Sequence, residues 1–189
     1  ITVGKPTVTD IIGDQDQVLR VAASLEASSE HPLAKAVMNA AKEKMVEPQT
    51  VADFTAVEGK GVQAVIDGQQ AFVGNDKLLA DYQISAGMKQ QMATLQDEAK
   101  TVVLVGLAKQ VIGLIAIQDA PKPSSAQAIA DLKARGLKTV MLTGDNERVA
   151  NAIAKEVGID QVIANVLPNE KAEHVKALEQ DGKVAFVGD

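Results

Sequence analysis

Residues 1 to 13 alternate apolar and polar positions with β-branched residues among them, which predicts a strand. Asp14 and Gln17 then stand at capping-box spacing ahead of Val18, Leu19, Val21, Ala22 and Leu25, an apolar face at helical period. Ser28-Ser29-Glu30-His31 interrupts that helix. Pro32 takes the place of a first-turn proline before Leu33, Val37, Ala40 and Ala41, so a second helix is expected to end near Met45. From Val51 the period changes to two. Residues 54–57, 61–66 and 70–74 are expected as short strands, two of them separated by the hairpin dipeptide Asp67-Gly68. Short helices over 77–82 and 86–100 precede two apolar strands, 102–107 and 111–117, joined through Ala108-Lys109-Gln110. An antiparallel sheet carrying helices fits this order.

After Ile117 the pattern changes to regular alternation. A helix from about Ser124 to Ala134, a strand at 139–142 and a helix at 147–157 are followed by strand, helix and a last strand ending at Val187. Strand and helix in turn predict parallel βαβ units and a doubly wound sheet. The seam between the two architectures falls at Asp119-Ala120-Pro121-Lys122-Pro123, where proline and charge punctuate the chain. No segment repeats another.

Composition narrows the function. A length of 189 residues bounds the chain to one large domain or two small ones, and a net charge of −6 argues against a nucleic-acid partner. Three Phe, one Tyr and no Trp leave an aliphatic core and few aromatic faces on which a planar ligand could stack. The lack of cysteine removes disulfides, thiolate metal sites and a cysteine nucleophile. Every apolar run is shorter than the ~20 residues of a membrane-crossing helix, so no direct membrane insertion is expected of this segment. The opening Ile-Thr-Val-Gly and the close on Val187-Gly188-Asp189 directly after an apolar run have the look of a piece of something longer.

Three groups of residues could carry chemistry. Thr143-Gly144-Asp145-Asn146 comes after a buried strand, at the edge where open α/β sheets bind ligands and where a helix start favours an anion. Lys171 opens a later helix after Val166-Leu167-Pro168, and Asp189 comes after another expected strand end. A hydroxyl, a lysine and a carboxylate on one edge could hold a phosphoryl group, offset its charge and bind the accompanying magnesium. The second group, Glu26, Glu30 and His31, surrounds a helix junction, where a helix start keeps the imidazole neutral and able to stack or hydrogen-bond. In the third, Gly59-Lys60-Gly61 opens a G-x-G-x-x-A pattern, but the strand directly after it excludes a dinucleotide fold, leaving close backbone approach to a ligand. Gly74-Asn75 is a weaker signal of the same kind. A capped turn at Asp145 or Asn146, a solvated Lys171 and a plain helix-start His31 explain the same residues taken singly. A Walker-type phosphate loop is absent.

Taken in order, these motifs resemble the cytoplasmic ATP-hydrolysing portion of a heavy-metal-transporting P-type ATPase, most closely the copper and silver exporters. Ser29-Glu30-His31-Pro32-Leu33 resembles that family's nucleotide-domain signature, and Gly59-x-Gly61 its glycine loop. Thr143-Gly144-Asp145-Asn146, Pro168 with Lys171, and Gly188-Asp189 are similar to its phosphorylation-domain motifs. The resemblance implies a haloacid-dehalogenase-like, doubly wound parallel phosphorylation domain from residues 1–8 and 118–189, incomplete at both ends. Inserted in it, residues 9–117 would form an α+β nucleotide-binding domain on an antiparallel sheet. Glu26 and His31 would meet adenine, Gly59 and Gly61 would line the nucleotide pocket, and Asn75 would support it. Thr143 would contact the phosphoryl group, Lys171 would offset its charge, Asp189 would help hold Mg2+, and Asp145 would sit where the domains close on ATP, with Asp119 and Lys122 near the hinge. Transmembrane and actuator domains would be the partners. The family's acceptor motif, Asp-Lys-Thr-Gly-Thr, does not occur here; Ile1-Thr2-x-Gly4-Lys5-Pro6 resembles the family's segment immediately C-terminal to that motif. A zinc or cadmium exporter, a stand-alone phosphatase with a cap, and a non-catalytic ATP-binding module are the alternatives.

Overall fold

Strands β1 (Thr7–Gly13), β2 (Ala52–Val57), β3 (Gly61–Ile66), β4 (Gln69–Gly74), β5 (Thr101–Leu107) and β6 (Gln110–Gln118) form one antiparallel sheet in the order β1-β6-β5-β4-β3-β2. They are seen in a computed structural model that describes residues 1–29, 31–78, 84–167 and 169–188. The β3–β4 turn holds Asp67 and Gly68 at φ of 48° and 75°, and the β5–β6 turn holds Ala108 and Lys109 at 50° and 65°. Both have the positive φ values of a type I′ turn, whose twist matches that of the strands it joins. Asp-Gly suits that turn intrinsically; in Ala-Lys it is imposed by the pairing of Leu107 with Gln110.

Helices α1 (Gln15–Glu26) and α2 (Pro32–Glu43) cover one face of the sheet. Asp14 accepts the Gln17 N–H at 3.0 Å and starts α1. Packed against the sheet and α2, this helix buries Val18, Leu19, Val21, Ala22, Ala23, Ser24 and Leu25. The one hydroxyl among them is satisfied: Ser24 donates to the Arg20 carbonyl at 2.7 Å and accepts the Gln49 N–H at 2.8 Å, tying the segment after α2 to α1. Because Leu19 is fully buried in a helix packed against the sheet and α2, Leu19→Ala leaves a void with little room to collapse. The expected loss is about 3 kcal/mol of stability, read as a lowered urea midpoint at unchanged slope; a shift of a few tenths would mean that this core repacks freely.

The opposite face carries α3 (Ala86–Asp97), whose Leu95 packs with Phe72, Val102, Leu104, Leu114 and Ala116. It ends before the Lys100 expected from periodicity, because Ala99 turns to a φ of 59°. Lys100 then reaches Asp10 at 2.8 Å and Glu98 at 2.7 Å, fastening this turn to β1. The Lys100 ammonium, with the Thr9 hydroxyl, holds the Asp10 carboxyl below its usual range.

Beyond the sheet, β7 (Val140–Leu142), α5 (Glu147–Val157) and β8 (Gln161–Ile163) make a βαβ unit with parallel pairing of Val140 to Gln161 and Leu142 to Ile163. Asn146 caps the start of α5 at the Val149 N–H, 3.1 Å away, and Gly158 closes it at φ 83°. α5 packs Val149, Ala150 and Ile153 on Met141. α4 (Ser125–Ala134) precedes the unit and α6 (Lys171–Leu178) comes after it. Asp160 accepts the N–H and O–H of Thr139 at 2.9 and 2.8 Å and pairs with Lys133 at 2.6 Å. The Lys133 ammonium and the Thr139 donors hold its carboxyl far below the usual range.

Three expectations need correction. Residues 183–188 form no strand: Phe186 is 61% and Val187 93% exposed, although their alternation suits a strand. Alternation alone does not make a strand without an edge to pair with, and among the described residues β7 pairs only with β8. The doubly wound sheet is thus represented by a single βαβ unit. The opening residues are not one strand either; β1 begins at Thr7, while Thr2 bridges Pro121. Residues 76–78 form a turn, and the remainder of the helix expected over 77–82 lies outside the described residues.

The seam at 119–123 is a double crossing. Val3 N–H donates to the Ala120 carbonyl at 3.0 Å, Lys122 N–H to that of Ile1 at 2.8 Å, and the Ser125 hydroxyl to Ile1 as well. The Asp119 carboxylate accepts the N–H groups of Gly4, at 2.9 and 3.1 Å, and of Lys5, at 3.1 Å. Asp119 therefore binds the incoming chain to the outgoing one.

Candidate functional site

The turn from α1 into α2 is built around Ser29. Its N–H donates to the Glu26 carbonyl at 3.0 Å and its hydroxyl accepts the His31 N–H at 3.3 Å. Glu26 ends α1, and its Oε2 is buried with no hydrogen-bond partner among the described residues. Burial pushes this carboxyl above its ordinary range, and the Ser29 hydroxyl offsets only part of the rise. His31 is exposed and serves as the N-cap of α2: its Nδ1 accepts the Leu33 N–H at 3.2 Å. The cap holds the ring at the helix start with its face in solvent. Ser29 belongs to the motif read from the sequence, but its place as the hub linking Glu26 to His31 emerges only from the hydrogen bonds.

Gly59 and Gly61 shape the turn between β2 and β3. Gly61 lies opposite Gly74 across the β3–β4 pair, with the two backbones in close approach. Asn75 holds the turn in place. Its Nδ2 donates to the Gly59 carbonyl at 2.8 Å, its N–H to that of Lys60 at 2.9 Å, and its Oδ1 accepts the Lys77 N–H at 3.0 Å. Gly59 faces the segment after β8: a Cβ placed there would lie 3.6 Å from a methyl of Leu167. The glycine turn thus approaches the stretch that leads into Lys171.

At the C-terminal ends of β7 and β8, the Thr143 hydroxyl donates to the Asp145 carboxylate at 2.8 Å and accepts the Asp145 N–H at 3.1 Å. Asn165 N–H donates to the Asp145 carbonyl at 2.8 Å and Val166 N–H to that of Thr143 at 3.1 Å, so the two strand ends brace each other. Lys171 is half-buried at the start of α6, and no hydrogen bond or ion pair among the described residues joins it to Thr143 or Asp145. Glu30, Pro168 and Asp189 lie outside the described residues. Among those described, no three His, Cys, Asp or Glu side chains converge as a metal site.

A βαβ unit with a hydroxyl and a carboxylate at its strand ends, joined by a double crossing to an antiparallel sheet bearing helices, defines the class. Residues 1–189 match the haloacid dehalogenase-like hydrolases, and the chain belongs to that family. More narrowly, it is 49% identical over 191 residues to a copper-exporting P-type ATPase of Staphylococcus haemolyticus (strain JCSC1435), a match spanning 100% of this chain and 24% of that protein. A copper-exporting P-type ATPase of Staphylococcus aureus (strain bovine RF122 / ET3-1) is 45% identical over 192 residues, again with 24% of its length covered. The fold is similar to the catalytic domain of the CPx-ATPase CopB-B, in a structure concerned with conformational changes upon nucleotide binding (TM-score 0.75, 32% identity, 100% of this chain and 66% of that one). A zinc-transporting PIB-type ATPase in the E2.Pi state is also similar (TM-score 0.65, 35% identity, 100% of this chain and 31% of that one).

Proposed function

We propose that this chain is the ATP-binding and phosphoryl-handling portion of a P-type ATPase that exports Cu(I) or Ag(I), with residues 9–117 as its nucleotide-binding domain and residues 1–8 with 118–189 as its phosphorylation domain. The observation that carries the reading is the buried Oε2 of Glu26, without a hydrogen-bond partner among the described residues, in the same turn as the exposed imidazole of His31. A buried acceptor without a donor is costly in an empty protein and is satisfied by a ligand that brings an N–H, as the amino group of adenine does. His31 offers the flat surface that an aromatic-poor chain otherwise lacks.

From the base, the nucleotide would pass the Gly59–Gly61 turn, where the absence of side chains lets backbone approach the phosphates. The Thr143–Asp145 turn and the Lys171 ammonium would receive the terminal phosphoryl group. Mg2+ would offset phosphate charge there; Asp189, the carboxylate expected to help hold it, lies outside the described residues, so no step is derived through the ion. The sequence contains no Asp-Lys-Thr-Gly-Thr, and the covalent step is therefore not assigned to these residues. No helix among the described residues is long and apolar enough to cross a membrane. Transmembrane and actuator domains of a longer protein would supply the ion path, with this part facing the cytosol. The copper-exporting relatives favour copper over the zinc named for one structural neighbour.

The test is an amide NMR titration with a non-hydrolysable ATP analogue. Saturable shifts at Glu26, His31, Gly59, Gly61 and Asn75 are expected; shifts confined to Thr143 and Lys171, or none, would overturn the nucleotide reading. His31 has two separable roles. His31→Asn retains a capping side chain and should melt like the parent chain while its affinity falls severalfold to about tenfold, the scale of a lost stacking contact. His31→Ala should show the same affinity loss plus about 1 kcal/mol of destabilisation from the missing cap. Undiminished affinity in the Asn variant would remove His31 from the base site.

A further inference from the structure

Beyond the double crossing at Asp119 and the approach of Leu167 to Gly59, α3 and α5 meet in a further contact. Arg148, in the first turn of α5, donates through Nη1 to both carboxylate oxygens of Asp97, the last residue of α3, at 2.9 and 3.1 Å. Two residues on from Asp97, Ala99 is buried against Met141, Val149, Ala150 and Ile153. α3 is rooted in the six-stranded sheet through Leu95, whereas α5 starts directly after the turn that holds Thr143 and Asp145. The contact therefore joins the body bearing Glu26, His31 and the glycine turn to the element that ends the phosphoryl-side turn.

A double crossing alone leaves a rotation about its own axis, because its hydrogen bonds all lie along two adjacent chain segments. One contact away from that axis suffices to remove the rotation. We infer that the α3–α5 contact sets the orientation of the six-stranded sheet relative to the β7–β8 unit, with Arg148 a positioning residue for the Thr143–Asp145 turn. The functional consequence rests on the nucleotide-binding reading of Glu26 and His31; the orientation itself does not. The ion pair is exposed, 55% at Arg148 and 61% at Asp97, and the apolar part is little more than one alanine, so the contact selects a setting without welding it. Domains that must close on a ligand and open again need such a joint.

The chain has no cysteine, so cysteines placed at the exposed positions Gln69 and Lys155 take spin labels selectively. The parent chain should give one narrow distance distribution between them, broadened in high salt. Arg148→Glu should broaden and shift it, and Asp97→Lys combined with Arg148→Glu should restore it. Ala99→Arg, which wedges the apolar part apart, should broaden it with either charge pattern. An unchanged distribution in Arg148→Glu, or no recovery in the swapped pair, would overturn the proposal. The ATP-analogue titration separates this from the nucleotide reading: shifts at Gly59 and Gly61 should persist in Arg148→Glu, while their transmission to Gly144 and Asp145 should be lost and then regained in the swapped pair. Absence of shifts at Gly59 and Gly61 in the parent chain would count against the nucleotide reading and leave the distance result to decide the contact.

Discussion

Gly61→Ala is expected to be a severely damaging single-methyl change, and one that strikes fold and binding together. At φ 141° the backbone of Gly61 lies outside the usual range of L side chains, and a Cβ there would sit 2.2 Å from the Val73 carbonyl oxygen and 2.5 Å from the Gly74 Cα. Both obstacles are backbone, so no rotamer change relieves the clash, and Gly74 faces the mirror problem, with a Cβ 2.3 Å from the Lys60 carbonyl. Strained backbone costs ~1–3 kcal/mol and overpacking a similar amount, so a loss of about 3 kcal/mol or more is expected in urea unfolding. The end of the β3–β4 pair would open, and with it the Asn75 bonds to Gly59 and Lys60 that hold the turn, so affinity for the ATP analogue should fall as well. Gly68→Ala is the control. Its φ is also positive, 75°, but nothing lies within 4 Å of a Cβ there, so it should cost only about 1 kcal/mol and leave binding intact. Equal melting of the two variants would show that the Gly61–Gly74 approach does not constrain the hairpin.

Glu26→Gln should move stability and binding in opposite directions. Burial raises the folded-state pKa of Glu26 above its unfolded value, so the folded chain binds the proton more tightly than the unfolded chain. Stability from this group is present at low pH and is lost as pH rises from the unfolded pKa through the raised one. Above that window the folded protein carries a buried charge that it disfavours. Glutamine removes the charge, so the variant should unfold at higher urea than the parent at neutral pH, and the difference should vanish in acid. Affinity for the ATP analogue should meanwhile fall by about tenfold, because the amide oxygen of glutamine still accepts but lacks the charge that adds ~1–1.5 kcal/mol to such a bond. Stabilisation with loss of binding is the signature of a residue kept for function against its own stability cost. A variant both less stable and equally tight in binding would make Glu26 a structural residue.

How far such residues can be seen in the sequence differs from one to the next. His31 and Glu26 are visible because a helix break before a proline leaves only a few positions for polar side chains. Asp14 is visible as a cap because its partner is three residues away. Asn75 is a weak signal; its grip on Gly59 spans 16 residues and exists only once β3 and β4 pair. Asp119 marks the seam by its proline neighbours, but its hold on Gly4 and Lys5 bridges more than a hundred residues. Asp97 and Arg148 give no signal at all, being two ordinary surface charges on separate helices.

The sequence by itself determined the local elements: the six strands of the antiparallel sheet, the two helices on one face and the βαβ unit all derive from apolar period, capping and turn residues whose partners are near in the chain. Only the tertiary structure decided what depends on distant partners. It forced a type I′ turn on Ala108-Lys109 through the β5–β6 register, ended α3 at Asp97 by burying Ala99 under α5, and left residues 183–188 without a strand although their alternation allowed one. Period and capping are properties of a short segment, whereas register, burial and edge pairing require a second segment already in place.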